Sequence, residues 1–170
     1  MDFEIVAAQS ADLDAVLDCW VALVEGQQDF GSHIAGAPNR DAARKLLGQY
    51  IVGDMLAVAR PGRTDAGGEV LGFVMFYREE GLYDQREVRG VIENVYVKPE
   101  ARGHGIGSAL LSRAESTLAE RGATVVGISA MAENDEAIEM YRDRGYRPHR
   151  IVLEQPLETD REKGVNGVGE

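Results

Sequence analysis

Between Val91 and Arg121 a strand, a set of glycines and a helix follow one another, and that order limits what this chain can fold into. Val91, Ile92, Val95, Tyr96 and Val97 form a β-branched and aromatic run that stops at Pro99, which cannot donate to a ladder. Gly103, Gly105 and Gly107 follow at alternate positions. Ile106, Leu110, Leu111, Ala114 and Leu118 then recur at helical spacing, and Gly122 ends the helix. The first amides of a helix have no partner within it, and the helix dipole adds positive potential at that end. Glycines let a backbone approach an anion closely. The segment therefore predicts a cradle for a diphosphate.

Two common phosphate patterns do not fit. G-x-G-x-x-G fails because the third glycine comes one residue early, and G-x-x-x-x-G-K-[ST] fails because no Lys follows. What stands here is Arg102-Gly103-His104-Gly105-Ile106-Gly107. It resembles the R/Q-x-x-G-x-G/A signature of the GNAT N-acetyltransferase superfamily. A second cluster, Asn134-Asp135-Glu136-Ala137-Ile138-Glu139-Met140-Tyr141 followed by Gly145-Tyr146, looks like that family's N-x-x-A-x-x-x-Y-x-x-x-G-[FY] motif. The resemblance covers about Asp2 to Leu157, with its specific motifs confined to Val91–Tyr146.

The resemblance implies roles for particular residues. Turn amides of Gly103, His104, Gly105, Ile106, Gly107 and Ser108, with Arg102, would hold the pyrophosphate of acetyl-CoA. His104 occupies a variable position of the motif and would contribute its amide, not a catalytic base. In the family the preceding strand carries a bulge whose free backbone groups pair with the pantetheine arm, a role that falls here on Val95, Tyr96 and Val97. Asn134 would contact the pantetheine or acetyl region, and it also suits a helix N-cap. Tyr141 matches the Tyr near the thioester sulfur, where a neutral phenol can act as general acid. Glu93 is the candidate general base: two residues before Val95, it is expected on the same side of the strand. No metal is implied. Acceptor recognition would come from the first two helices and their loop, which holds Gln27, Gln28, Asp29, Phe30, Ser32 and His33.

Composition narrows the partners. A length of 170 residues suits one domain with a sizeable core: an acetyltransferase domain over 1–157 and a polar tail over 158–170. The balance of 18 basic and 29 acidic residues gives −11, a poor match to nucleic acid or an anionic membrane. Of the basic residues only Lys45, Lys98 and Lys163 are Lys. Two readings of the acid excess stand: a solvated surface, or adaptation to a high-salt cytoplasm, which stability in dilute buffer would separate. No run is apolar enough to span a bilayer, and M-D-F-E does not open like a signal peptide. Cys19 is alone and, beside Trp20, reads as a core residue. The reducing cytoplasm is the default compartment.

Patterning places strands at Asp2–Ala8, Met55–Ala59, Glu69–Arg78, the central run, Thr124–Met131 and Arg147–Leu157. Helices are expected after Ser10 as N-cap, over Arg40–Val52, after Gly105, and over Glu133–Arg144. Loops are expected at Gly26–Asn39, Pro61–Gly68 and Glu79–Gly90. The second to fourth strands need only hairpins and should pair antiparallel, while the strands flanking the central helix should be parallel neighbours. The fold expected is α/β: a mixed, mostly antiparallel, twisted sheet with helices on both faces, as the GNAT resemblance also implies. Many members of that family have two strands after the second motif, and this chain shows one; a last strand supplied by a second copy, as a homodimer, stays open. The function expected is transfer of an acetyl group to a primary amine on a small molecule or protein. The alternatives are a non-catalytic acyl-CoA-binding regulator of the same fold and a nucleotide-dependent enzyme.

Overall fold

The computed structural model describes residues 1–62, 69–81 and 86–157. The chain forms two compact units, Met1–Asp135 and a second beginning at Glu136. In the first unit, β1 (Phe3–Ala7), β2 (Leu56–Pro61), β3 (Gly72–Arg78), β4 (Arg89–Val97) and β5 (Val125–Ile128) form a five-stranded sheet in chain order. β1 to β4 pair antiparallel, and β5 joins β4 in parallel. From β2 to β4 that pattern follows from connection lengths, because direct connections reverse direction, and the crossover through α3 (Ile106–Glu120) makes β5 parallel to β4; β1 reaches β2 through two helices, and its direction is set by pairing.

Helices cover both faces. Phe73 and Met75 of β3 pack with Leu56 and Val58 of β2 against Val16, Leu17, Trp20 and Val24 of α1 (Leu13–Gln28) and Ala43 and Leu47 of α2 (Arg40–Val52). Successive strand residues point to opposite faces, so Gly72 and Val74 look the other way. There Gly72 approaches Leu110 of α3. The α3 stripe expected from spacing, Ile106, Leu110, Leu111, Ala114 and Leu118, is fully buried. Each large aliphatic of that stripe contributes roughly 1.5–3 kcal/mol on burial, which anchors the helix that begins at the glycine turn. Cys19 is buried in the core as expected, and desolvation pushes its thiol up to about 11. Asp12, buried beneath α1, is paired to Arg60 of β2 at 2.7 Å, which keeps its charge compensated.

Several expectations change. Ser10 is not the helix cap: Gln9 caps a single 3-10 turn over Ser10–Asp12, and the Asp12 carboxylate accepts from the Gln9 amide at 2.7 Å. α1 runs through Gln28, so Gly26, Gln27 and Gln28 are helical, because Gly26 breaks no intrahelical hydrogen bond. Arg89 and Gly90 belong to β4 and not to the preceding loop. The last strand expected at Arg147–Leu157 is not formed. Ile151, Val152, Leu153 and Leu157 are exposed there, and apolar residues become a strand only where a ladder is available to receive them. The second unit holds most of α4 (Asp135–Asp143), closed by Gly145 at φ +95°. The expected turn over residues 63–68, part of the loop over 82–85 and the tail over 158–170 lie outside the described residues.

Candidate active site

Past Val97 the chain makes one 3-10 turn over Pro99–Ala101, then turns twice through positive φ. Gly103 sits at φ +75° and Gly105, the residue before α3, at φ +82°. A side chain in that region costs roughly 1–2 kcal/mol, which is why glycine stands at both places. A Cβ on either would meet nothing within 4 Å, so the turn is open to the outside rather than plugged. Among the described residues no turn or loop bond uses the amides of Gly103, His104 or Gly105. The amides of Ile106, Gly107 and Ser108 begin the helix and have no carbonyl four residues back within it. Buried Ile106 pins this end to the core while Gly103, His104, Gly105 and Ser108 stay exposed.

Side chains brace the turn. The Arg102 Nε donates to the Val97 carbonyl at 3.1 Å, and its guanidinium lies 6.0 Å from the Tyr96 ring centre. A guanidinium has five donors, so one bond to Val97 leaves others for an anion. The His104 Nδ1 sits 2.8 Å from the Arg102 carbonyl. A carbonyl only accepts, so Nδ1 carries the proton and the imidazole is engaged in shaping the turn. A diphosphate fits this cradle: open backbone, unused amides and a neighbouring cation coincide.

Beside the turn the sheet forks. β4 pairs with β5 only over Arg89–Ile92. Among the described residues Val95, Tyr96 and Val97 pair with β3 on one side and with no strand on the other. The ladder between β3 and β4 also slips here: Phe76 faces Ile92 and Met75 faces Asn94, leaving Glu93 as the extra, bulged residue. The bulge thus lies at Glu93, upstream of Val95–Val97 where it was expected. It also corrects the side on which Glu93 stands. Val95 pairs with Val74 on the α3 face, whereas Glu93 receives a hydrogen bond from the Tyr50 hydroxyl of α2. Period-two alternation fails across a bulge, so Glu93 shares its face with Tyr96 and not with Val95.

Asn134 precedes α4, with its amide bonded to the Met131 carbonyl at 3.0 Å. Tyr141 is half-buried on α4, its ring 6.0 Å from that of Tyr146. Burial pushes the Tyr141 phenol up to about 12, so it is a neutral hydroxyl at ordinary pH.

A sequence model of the acetyltransferase (GNAT) family matches residues 39–146, a span that holds β2 to β5, the glycine turn and α4. The chain belongs to the GNAT acetyltransferase family. It is an acyltransferase, and its reaction is acetyl transfer. The acetyltransferase SG1711 of Sodalis glossinidius is 34% identical over 116 residues, which cover 68% of this chain and 71% of that protein. The GCN5-related N-acetyltransferase from Ralstonia eutropha superposes with a TM-score of 0.70 at 25% identity, over 91% of this chain and 98% of that one. The NatC complex bound to Gag peptide and CoA contains a chain with a TM-score of 0.68 at 16% identity, covering 88% and 87% of the two chains, and it shows the shared fold.

Within this GNAT domain the expected site residues fall into three groups. Val95, Tyr96, Val97 and Arg102 to Ser108 come together as one edge and one turn, joined by the Arg102 bridge. Glu93 stands at the fork, tied to α2. Asn134 and Tyr141 stand at the start and in the body of α4. Sequence reasoning did not single out Tyr50 and Tyr77, which surround Glu93. Both sit in apolar patterns that read as core, and the only signal was chemical: a Tyr in such a stripe carries a hydroxyl that needs a partner. Among the described residues no group of His, Cys, Asp or Glu could hold a metal ion, and no helix is long and apolar enough to cross a membrane.

Proposed function

We propose that this acetyltransferase carries the acetyl group of acetyl-CoA directly to a primary amine, with both substrates bound at once and no acyl-enzyme formed. The observation that carries the reading is the open, amide-rich turn at Gly103–Ser108 directly beyond the unpaired edge of Val95–Val97. Acetyl-CoA supplies a thioester, an acetyl group activated for attack by nitrogen. The turn amides and Arg102 hold its diphosphate. The unpaired edge of β4 takes the pantetheine amides as an added strand, and a backbone N–H there polarises the thioester carbonyl. Asn134 contacts the pantetheine or acetyl end.

Glu93 accepts the proton that the ammonium of the acceptor must lose. The freed nitrogen forms the new C–N bond while the C–S bond breaks, and it sheds its second proton to solvent, which also restores the Tyr141 phenol after turnover. Tyr141 delivers its hydroxyl proton to the departing sulfur, which suits a phenol held neutral by burial. Holding the two reactants adjacent lowers the barrier further. The fork brings the Glu93 carboxylate and an empty strand edge onto one element, which supports this division of labour.

Two measurements test the proposal. Thermal unfolding with CoA, acetyl-CoA, ATP and NAD should show stabilisation by CoA and acetyl-CoA; stabilisation by ATP or NAD but not CoA overturns it. Thiol release from acetyl-CoA should depend on an added amine. Binding without amine-dependent release would leave only a regulator that holds acyl-CoA.

A further inference from the structure

Glu93 stands beside aromatic side chains from two other elements. Tyr50 of α2 donates its hydroxyl hydrogen to Glu93 Oε2. Tyr77 of β3 stands edge-on to Tyr50, ring centres 6.5 Å apart and planes at 88°. Glu93 is exposed, and both rings are half-exposed, so the corner is open to a ligand. Desolvation, with the Glu93 charge added to it, raises both phenols above their ordinary range, so the rings are neutral and their faces electron-rich.

The neighbouring charges set what can enter. Arg89 is the cation beside Tyr77, and it is paired to Glu79 at 3.8 Å. Glu93 is therefore the charge that the corner presents to a ligand. An ammonium satisfies it, and methylene groups lie well on tyrosine faces. A substrate with a carboxylate next to its amine would bring a second negative charge against Glu93, and among the described residues the cation recorded beside Tyr77, Arg89, already carries the Glu79 charge.

We propose that Tyr50, Tyr77 and Glu93 form the acceptor corner, and that it takes an unbranched alkylammonium, as in a linear diamine or a lysine side chain, in preference to an α-amino acid. This rests on the amine-acetyltransferase reading. Tyr50 and Tyr77 line the alkyl chain, and Tyr50 also fixes the Glu93 carboxylate where it can take the ammonium proton. The preference comes from the aromatic pair and the Glu93 carboxylate, and none of the three residues belongs to the acetyl-CoA cradle.

Calorimetric titration of the CoA-bound protein tests this without requiring turnover. The probes are 1,5-diaminopentane, Nα-acetyl-lysine methylamide and norleucine, whose only amine adjoins a carboxylate. The diamine or the lysine derivative should bind, the tighter one naming the source of the alkylammonium, and norleucine should bind more weakly. Tyr77→Leu should weaken alkylammonium binding roughly two- to thirtyfold, the range for a lost cation–aromatic contact. Tyr50→Phe, which keeps the ring and loses only the tether on Glu93, should weaken it severalfold. Both variants should keep wild-type unfolding temperature and CoA affinity, which excludes general misfolding. Norleucine binding as tightly as the diamine, absence of binding by both alkylammonium probes, or wild-type binding in both variants overturns the acceptor corner. Diamine binding without amine-dependent thiol release would sink the transfer reading and leave the corner standing.

Discussion

Gly72 is where the fold and the proposed acetyl-CoA edge meet, and replacing it by Ala tests both. A Cβ at Gly72 would lie 2.4 Å from the Tyr96 carbonyl oxygen and 3.1 Å from Val97 Cα. Both are backbone atoms of β4, so no side-chain rotation relieves the clash. Ordinary contact begins near 3.4 Å, so the Tyr96 carbonyl must retreat by about 1 Å. Leu110 of α3 lies 3.4 Å away and blocks an easy tilt of β3 toward that helix. Overpacking of this kind costs about 1–3 kcal/mol. For a chain of this size that lowers the unfolding temperature by about 2–12 °C. The Tyr96 peptide faces β3, but its neighbours Val95 and Val97 present the outward groups proposed to pair with pantetheine and shift with it, so the KM for acetyl-CoA should rise at a temperature well below unfolding. Differential scanning fluorimetry and initial rates of thiol release measure the two effects. An unfolding temperature within 1 °C of wild type, with an unchanged KM, would show that β3 and β4 are not in van der Waals contact at Gly72.

Other perturbations separate the roles. Tyr141→Phe should lower kcat by about a hundredfold or more with little change in the KM for acetyl-CoA, the mark of a lost general acid; wild-type turnover would remove Tyr141 from the mechanism. Arg102→Ala removes the brace on the Val97 carbonyl and a cation beside the turn, so the KM for acetyl-CoA should rise about tenfold while kcat changes less; equal KM values refute the brace. Because burial raises Tyr141 from 10 to about 12, the unfolded chain loses that proton first as pH climbs. Stability is then full below pH 10 and falls toward pH 12, by about 2 kcal/mol from this group. Urea unfolding across that range should show a shallower loss in Tyr141→Phe than in wild type.

Much of this molecule was legible in its one-dimensional pattern. The stripe Ile106, Leu110, Leu111, Ala114 and Leu118 named the buried face of α3 residue by residue, because a helix repeats every 3.6 positions whatever it packs against. α2 was read at the bounds it has. The antiparallel pairing of β2 to β4 and the parallel pairing of β4 with β5 followed from connection length alone. The glycine turn was legible because positive φ restricts the residue type, and Gly103 and Gly105 stand where it is required.

What the pattern missed depended on partners distant in sequence. Arg147–Leu157 has the composition of a strand, but composition supplies no ladder. The side on which Glu93 points could not be counted from Val95, because a bulge is a mismatch between two strands and is written in neither alone. Tyr50 and Tyr77 read as core until α2 and β3 brought them to Glu93. Sequence by itself therefore determined the five strands, the helices and the glycine turn, since each rests on local backbone preference and hydrophobic period. Tertiary structure alone decided where β4 parts from β5 and which groups surround the carboxylate at that fork, because those depend on register and packing between segments far apart in the chain.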